Sequence, residues 1–249
     1  MPLLDACDFA ATIGIDVLEK RSLLTISDAG FLQMHDLLRE MGLEIVRRES
    51  PDEPGKRSRL CLEEDIIRVL EKNRGTEAVK NIVLCETKDA ETELHLPGKS
   101  FSMMTNLRTL KFGRSFKIVH LSDGLKYLSS ELRILIWWKC RLQSLASVIS
   151  LENLQILEMR ESQIEYLWEG KKQLKSLKRI DLSHSLNLCK TPDFNGCPKL
   201  EILAFEGCIQ LSEVDSSVGF LKRLTSMYLN GCKNLRLLPS SVSGLKSLK

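Results

Sequence analysis

A leucine pattern that recurs every 22 to 25 residues constrains the fold of this chain more than any other feature of its sequence. The pattern is L-x-x-L-x-L, and a Cys or Ser follows at the ninth position of most copies. It starts at Leu107, Leu132, Leu154, Leu177, Leu200 and Leu224, and Leu248 opens a seventh copy. A unit this short cannot bury its own apolar side, so the copies are predicted to stack on one another.

Each copy is predicted to contain one short strand. Alternation along that strand points the fourth and sixth positions of the pattern into the core and the third, fifth and seventh positions outward. Stacked strands then form a parallel sheet. The predicted fold class is therefore α/β, with a leucine-rich-repeat solenoid over residues 99–249 that is expected to be truncated at its C-terminus.

The outward positions form the candidate partner-binding surface, because repeat solenoids present an extended concave face. Exposed Trp, Tyr and Arg are the residue types that dominate protein interfaces. The predicted contact residues are Ile134, Ile136, Trp138, Ile156, Glu158, Arg160, Arg179, Asp181, Glu206, Tyr228 and Asn230. The alternative interpretation is a solvated face on which Ile134 and Ile136 are covered by neighbouring protein.

The ninth position of five copies is occupied by Cys140, Ser162, Ser185, Cys208 and Cys232. A small polar or thiol side chain at this place, just after the strand, can bond turning backbone. Stacking would also bring cysteines of neighbouring copies close together, which allows a metal or redox interpretation. A buried structural ladder is favoured, because free cysteine usually behaves as a small buried apolar residue and no histidine stands at ligand spacing.

The first hundred residues have a different pattern. Apolar residues from Met34 to Val46 recur at spacings of three and four, which predicts an amphipathic helix. The run 22–27, a turn at 28–30 and the segment after it predict a hairpin leading into this helix. We predict a small α+β winged-helix module over residues 1–60, then a helical linker and entry to the repeats over 61–98, with a second helix from Glu63 to Asn73.

Composition excludes several function classes. The net charge is only +3, and acidic residues interrupt the basic cluster around Arg47 and Arg57, so neither nucleic acid nor a membrane is an expected partner. Asp5 and Asp8 stand where a signal peptide would be apolar, and no CxxC pair occurs. These features predict a protein of the cytoplasm, or of both cytoplasm and nucleus.

No catalytic, metal or complete nucleotide site is predicted within the chain. The segment 97–100 contains Gly-Lys-Ser, but Glu93 stands where a P-loop requires an earlier glycine. The four histidines are far apart in sequence and form no HExxH or similar group. We therefore expect a binding protein and not an enzyme.

Six segments of the chain resemble one known family. They are QMHDLLREMGLEIVRRES (33–50), PGKRSRL (54–60), GTEAVKNIVL (75–84), IEYLWEGKKQLKSLKRIDLSHS (164–185), TPDF (191–194) and GCKNLRLLPSSV (231–242). Together they are similar to the plant intracellular disease-resistance receptors that combine a TIR domain, a nucleotide-binding domain and leucine-rich repeats. The resemblance implies a receptor fragment that contains the winged-helix end of the nucleotide-binding module and the first repeats.

The resemblance also implies roles for individual residues. Met34, His35 and Asp36 match the family's MHD motif, in which the histidine contacts the phosphate of bound ADP and the aspartate helps to hold the inactive state. Taken alone, His35 would be a structural residue at a helix start. The resemblance implies ADP or ATP in the complete receptor and no cofactor in this fragment. It implies protein partners: a pathogen effector, a guarded host protein or the receptor's own nucleotide-binding domain.

The chain departs from the family pattern in several places. The TIR domain and the P-loop are absent, so NAD cleavage and nucleotide switching are not expected of this fragment. Cys61 stands where the family usually has Trp, and Cys140, Arg141 and Ala146 replace the usual Tyr, Pro and Pro. The alternative function is a free-standing repeat adaptor or decoy that binds a partner without switching.

Overall fold

The computed structural model describes residues 11–27, 32–86, 93–115, 118–145 and 150–249. At the start of the chain, helix α1 (Ala11–Lys20) precedes a two-stranded antiparallel hairpin, β1 (Thr25–Ile26) and β2 (Leu32–Gln33). Helix α2 (Asp36–Glu49) follows directly. The hairpin and the helix after it are confirmed; the predicted turn at 28–30 lies outside the described residues.

The rest of the chain is organised around an eight-stranded parallel sheet. Its strands are β3 (Arg59–Leu60), β4 (Asn81–Glu86), β6 (Thr109–Ser115), β8 (Ile134–Trp137), β9 (Ile156–Glu158), β10 (Arg179–Asp181), β11 (Ile202–Ala204) and β12 (Ser226–Tyr228), each paired with the next. The predicted solenoid with a parallel sheet is confirmed. A strand and its return path form one copy, so the sheet order follows the chain order.

The sheet begins well before the predicted boundary at residue 99. Strands β3 and β4 lie in segments without the full leucine pattern, and they pair in parallel with each other and with β6. Helix α3 (Glu63–Glu71) connects them, within the predicted range of the second helix. A second small parallel sheet pairs β5 (Glu93–Leu96) with β7 (Ile118–Leu121).

One continuous apolar core lies between the sheet and the return segments. Its members include the residues at the fourth position of the leucine pattern in four successive copies. These are Leu135, Leu157, Ile180 and Leu203, all with no exposed surface. Trp137 lies at the sixth position and packs edge-on against Phe101 and Phe112, with ring centroids 6.1 and 5.4 Å apart. The expected alternation is therefore present: the fourth and sixth positions fill the core. Short 3₁₀ helices at Pro54–Lys56, Ser216–Phe220 and Ser240–Gly244 complete the described elements.

Candidate protein-binding face and switch segment

The predicted contact residues share one side of the parallel sheet. The strand register places Ile134 beside Ile156, Ile136 beside Glu158, and Asp181 beside Glu158. It continues from Ala204 to Tyr228 at the other end of the sheet. Because neighbouring strands lie about 4.8 Å apart, side chains at equivalent positions of adjacent copies form rows. These rows make up what we call the concave face.

The apolar end of the concave face is closed to partners. Ile134, Ile136 and Ile156 form a cluster of their own, separate from the main core, and are 1%, 3% and 3% exposed. Trp138 packs against them. Branched side chains on adjacent strands are close enough to cover one another. The three isoleucines were predicted as contact residues, but they have almost no accessible surface and instead support the indole of Trp138.

The centre of the concave face is a set of ion pairs. Nε of Arg179 lies 2.8 Å from Oε1 of Glu158, and its Nη2 lies 2.9 Å from Oδ2 of Asp181. The other oxygen of Asp181 accepts a hydrogen bond from the backbone N–H of Ser183 at 3.1 Å. Asp181 is buried, so these contacts compensate a charge that would otherwise be costly to desolvate. All three charged groups therefore have partners within the face.

Trp138 and Arg160 form the most distinctive contact on this face. The guanidinium carbon of Arg160 lies 4.8 Å from the centre of the Trp138 ring, within cation–π range. Beside them opens a pocket of about 710 Å³, which also includes Arg114, Glu161 and His184 in its lining. Nε of Arg114 lies 3.4 Å from Oε1 of Glu161 across this pocket. We call it the rim pocket.

The far end of the face is open. Tyr228 is exposed, and so is Asn230, whose side-chain amide donates to Oε1 of Glu206 at 3.4 Å. These three predicted contact residues present accessible polar surface. The concave face therefore has two accessible areas, one at Trp138 and Arg160 and the other at these three residues. The ion pairs lie between them.

The sequence prediction missed the side chains that turn out of the strand ends. Lys139, Glu161 and His184 adopt left-handed backbone conformations, with φ of 56°, 55° and 63°. In the next two copies the equivalent residues are Gly207 and Gly231, with φ of 68° and 78°. Glycine at this position in two of the six aligned copies is the signal that could have identified this turn. Arg114 holds the same eighth position in the copy that starts at Leu107, at the end of the long strand β6, and was missed with the others.

The ninth position of the repeat is a hydrogen-bonded ladder. The hydroxyls of Ser162 and Ser185 lie 2.8 Å apart, and Ser185 donates to the backbone carbonyl of Met159 at 3.1 Å. Sγ of Cys208 lies 3.2 Å from the carbonyl oxygen of Leu182. In the last copy, Sγ of Cys232 lies 3.0 Å from the carbonyl oxygen of Phe205. Ser185, Cys208 and Cys232 thus each bond the backbone of the preceding copy.

Burial keeps the cysteines of this ladder protonated. It raises the pKa of Cys140 and of Cys208 to about 12, because the thiolate would lose its hydration. A thiol of this kind is a poor nucleophile and a poor metal ligand. Within the described ranges, no group of three or more His, Cys, Asp or Glu side chains is arranged to hold a metal ion.

The Met34-His35-Asp36 segment lies at the start of helix α2. His35 is the N-cap residue, and its Nδ1 accepts a hydrogen bond from the backbone N–H of Leu37 at 3.2 Å. Because Nδ1 accepts, the neutral imidazole carries its proton on Nε2. Asp36 is the first residue of the helix, where a negative charge interacts favourably with the helix dipole. His35 is exposed, so Nε2–H is available as a donor.

The end of helix α2 is joined to the first strand of the sheet through Arg57. The guanidinium is buried and donates to the carbonyls of Ser50 and Pro51, each at 2.7 Å. It also pairs with Asp65 of helix α3 at 2.7 Å. We call this arrangement the Arg57 joint. It fixes the C-terminal end of α2 to α3, in the segment that leads directly into strand β3.

A second contact reinforces this connection. Glu49, the last residue of α2, accepts hydrogen bonds from the backbone N–H of Ser58 at 2.6 Å and from its hydroxyl at 2.8 Å. The backbone bond holds the pKa of Glu49 below its usual value. Carboxylate acceptors form stronger hydrogen bonds than neutral ones. The two contacts join the end of helix α2 to the segment that leads into strand β3.

Among the described helices, none combines enough length with enough apolar character to cross a bilayer.

Comparison with known proteins identifies both parts of the chain. The family model described as "Disease resistance protein Roq1-like, winged-helix domain" matches residues 2–50, and the one described as "Leucine Rich Repeat" matches residues 153–172. The leucine-rich repeat domain of the type III effector XCV3220 (XopL) superposes with a TM-score of 0.51 at 20% identity, covering 84% of this chain and 78% of that one. That similarity shows the repeat fold.

Sequence relatives extend over nearly the whole chain. TMV resistance protein N of Nicotiana glutinosa is 35% identical over 239 residues, which is 96% of this chain and 20% of that protein. Disease resistance protein RPP2A of Arabidopsis thaliana is 39% identical over 252 residues, covering 99% and 19%. The chain thus spans about a fifth of the length of these relatives. With its hairpin and stacked repeats, it belongs to the plant disease-resistance proteins of the TIR-type nucleotide-binding leucine-rich-repeat family, of which it carries the winged-helix end and the first repeats.

Proposed function

We propose that this chain couples a protein-binding face on its repeats to a nucleotide-dependent defence switch in a disease-resistance receptor. The observation that carries the proposal is the Arg57 joint. One buried guanidinium bonds the end of the helix that His35 caps and, through Asp65, the helix that connects the first two strands of the sheet. A partner that prefers one arrangement of this joint would shift the equilibrium between the off and on states.

The chain's contribution to the nucleotide site is His35. Its Nε2–H is exposed and can donate to a phosphate oxygen, while Nδ1 is committed to the helix cap. The proposed ligand is ADP or ATP bound by the complete receptor, and no cofactor is proposed for the chain alone. Asp36 would help to hold the inactive state. The proposed role is binding and switching, without catalysis.

The repeats would bind protein. Their accessible residues are of the types that anchor interfaces: Trp138, Arg160 and Tyr228. The proposed partners are a pathogen effector, a guarded host protein or the receptor's own nucleotide-binding domain, and neither nucleic acid nor a membrane. A receptor of this kind would act in the cytoplasm, or in both cytoplasm and nucleus.

The test is made in the full-length receptor. His35→Ala is expected to lower the amount of ADP that co-purifies with it, measured by chromatography of the released nucleotide. Arg57→Gln is expected to keep partner binding but to block partner-triggered exchange of ADP for ATP. Arg68→Gln, which changes an exposed arginine on α3, is the control. Unchanged ADP content with His35→Ala, together with normal exchange in Arg57→Gln, would contradict the proposal.

A free-standing repeat adaptor or decoy is the second candidate. The chain's relatives are about five times its length, so the deciding observation is the transcript upstream of the Met1 codon. An in-frame P-loop and TIR domain would assign His35 to a switch. A stop codon immediately before Met1 would support the adaptor.

A further inference from the structure

The rim pocket lies where strands β6, β8, β9 and β10 end, at the edge of the concave face. Its volume of about 710 Å³ is within the size range of sites that bind small molecules or peptide side chains. Apolar surface comes from Trp138 and from Leu186, which is half exposed. Charge comes from Arg114, Arg160 and Glu161. The pocket therefore combines flat apolar walls with two guanidinium groups.

Arg160 is held in place but has unused hydrogen-bonding capacity. Its guanidinium stacks on Trp138, which fixes the orientation of the planar group. Within the part of the chain that the structure describes, its buried Nε has no hydrogen-bond partner. The nearest carboxylate oxygen, Oδ1 of Asp181, is 3.7 Å away, beyond hydrogen-bond distance.

Asp181 is only a loose ion-pair partner of Arg160, at 3.7 Å, because its shorter contacts are with other groups. One of its oxygens accepts from Arg179 at 2.9 Å and the other from the backbone N–H of Ser183 at 3.1 Å. The acidic groups at the centre of the face are thus engaged by Arg179. The stacking on Trp138 holds the planar guanidinium of Arg160 in one orientation beside the pocket. A carboxylate is the group whose two oxygens match the paired N–H donors of a guanidinium.

The other charged pair in the pocket can open. Arg114 lies 3.4 Å from Glu161, but its side chain is 71% exposed, so water competes for this contact. A second carboxylate entering the pocket could draw Arg114 towards it. His184 adds an exposed imidazole to the lining. The charge balance of the pocket therefore favours an anionic ligand.

We propose that the rim pocket binds an acidic segment of another protein. An Asp or Glu carboxylate of that segment would pair with the guanidinium of Arg160, and an adjacent apolar side chain would pack against Trp138 and Leu186. This inference rests on the proposed protein-binding role of the repeats and names the chemistry of the partner. Arg160 differs from Arg179, the other guanidinium of the face, in its distance from a carboxylate: 3.7 Å to Asp181, against 2.8 and 2.9 Å for the two contacts of Arg179.

The test uses the complete 249-residue chain and two fluorescein-labelled peptides. One is Gly-Leu-Glu-Leu-Glu-Leu-Gly, and its twin carries Gln in place of each Glu. Fluorescence anisotropy at low salt is expected to show about tenfold tighter binding of the Glu peptide, the difference typical of one hydrogen-bonded charge pair. Arg160→Gln is expected to abolish this preference, and Arg223→Gln, at an exposed site away from the pocket, to keep it.

Arg160→Lys provides a second variant that retains the charge but lacks the paired N–H donors. It is expected to keep part of the preference, with circular dichroism confirming that each variant is folded. Equal binding of the two peptides to the unaltered chain, or an undiminished preference in Arg160→Gln, would overturn the acidic-segment proposal. Neither result would affect the test of the Arg57 joint, which reads nucleotide exchange in the receptor.

Discussion

Helix α2 and the repeats have equally regular apolar patterns, yet they bury them to opposite degrees. Leu37, Met41 and Ile45 form a stripe along α2 and are 69%, 60% and 65% exposed. In the repeats, by contrast, the leucines of each copy are covered by the next copy. The only buried apolar cluster that the structure describes in the winged-helix end is the pair Ile15 and Leu24.

The difference shows what a periodic pattern does and does not specify. A repeat supplies its own partner, because each copy buries the apolar side of its neighbour. An amphipathic helix needs a second surface, and the described residues of this chain do not provide one for α2. Stability should therefore be concentrated in the repeats, and the winged-helix end should respond to contacts made elsewhere.

The largest expected effect comes from a core leucine of the repeats. Leu203→Ala in β11 should lower the free energy of unfolding by about 4 kcal/mol, because Leu203 is fully buried and the substitution leaves a cavity. Leu37→Ala, at an exposed position of α2, is the control and should change it by less than about 0.5 kcal/mol. Urea unfolding followed by circular dichroism measures both. Equal losses would remove the contrast between the two regions.

The Arg57 joint should rank second. Arg57→Ala is expected to cost about 2 to 3 kcal/mol, because Asp65 and two carbonyls lose a buried donor. The loss should be local, so hydrogen exchange is expected to accelerate in α2 and α3 more than in β9 to β11. Arg68→Ala, at an exposed site on α3, should leave the exchange pattern unchanged. Uniform acceleration across the repeats would show that the joint is not a separate unit.

A smaller effect is expected at the left-handed turns. Gly207→Ala should cost about 2 kcal/mol, since φ is positive and the new Cβ would lie 2.5 Å from Nδ1 of His184. Gly231→Ala has the same backbone strain, but its Cβ would lie no closer than 3.3 Å to Gly207, so about 1 kcal/mol is expected. Thermal unfolding compares the two. Adding His184→Ala should rescue part of the first loss and none of the second.

The smallest expected effect is on the pH dependence of repeat stability. Burial raises the pKa of Cys208 from 9.0 to about 12, so the unfolded chain releases the thiol proton at a lower pH than the folded one. Stability is therefore fully present below pH 9 and decreases between 9 and 12. At pH 9 the ionisation of one such thiol in the unfolded chain should lower the free energy of unfolding by about 0.4 kcal/mol. Cys208→Ser, which matches the serines of the ladder, should show a shallower decrease; an identical decrease would exclude Cys208 as its source.

The sequence was sufficient to predict the repeats, because leucine spacing reports a contact that every copy makes with the next. It also predicted the hairpin and α2, whose alternation and helical spacing are local signals. It did not predict that β3 and β4 belong to the sheet, since these strands lack the full pattern and are recruited by pairing with β6. Pairing of this kind is a tertiary effect that a local pattern does not report.

The candidate site was predicted less completely than the fold. Strand alternation correctly placed Trp138 and Arg160 on the concave face, but it carried no information on how much neighbouring side chains cover Ile134 and Ile136. The rim pocket depends on Glu161 and His184, whose direction is set by positive φ at a turn. The unpaired Nε of Arg160 depends on which groups occupy the oxygens of Asp181. Arg160 and Asp181 belong to different copies, so a local sequence pattern does not report their separation.

The ladder of Cys and Ser side chains has a consequence for how such a receptor can evolve. Through Ser185, Cys208 and Cys232 it ties three copies to the backbone of the preceding copy, by groups that lie off the concave face. Side chains such as Tyr228 can therefore be exchanged without loosening the stack. A lineage can therefore vary the side chains of the concave face by single substitutions while the scaffold keeps its stability.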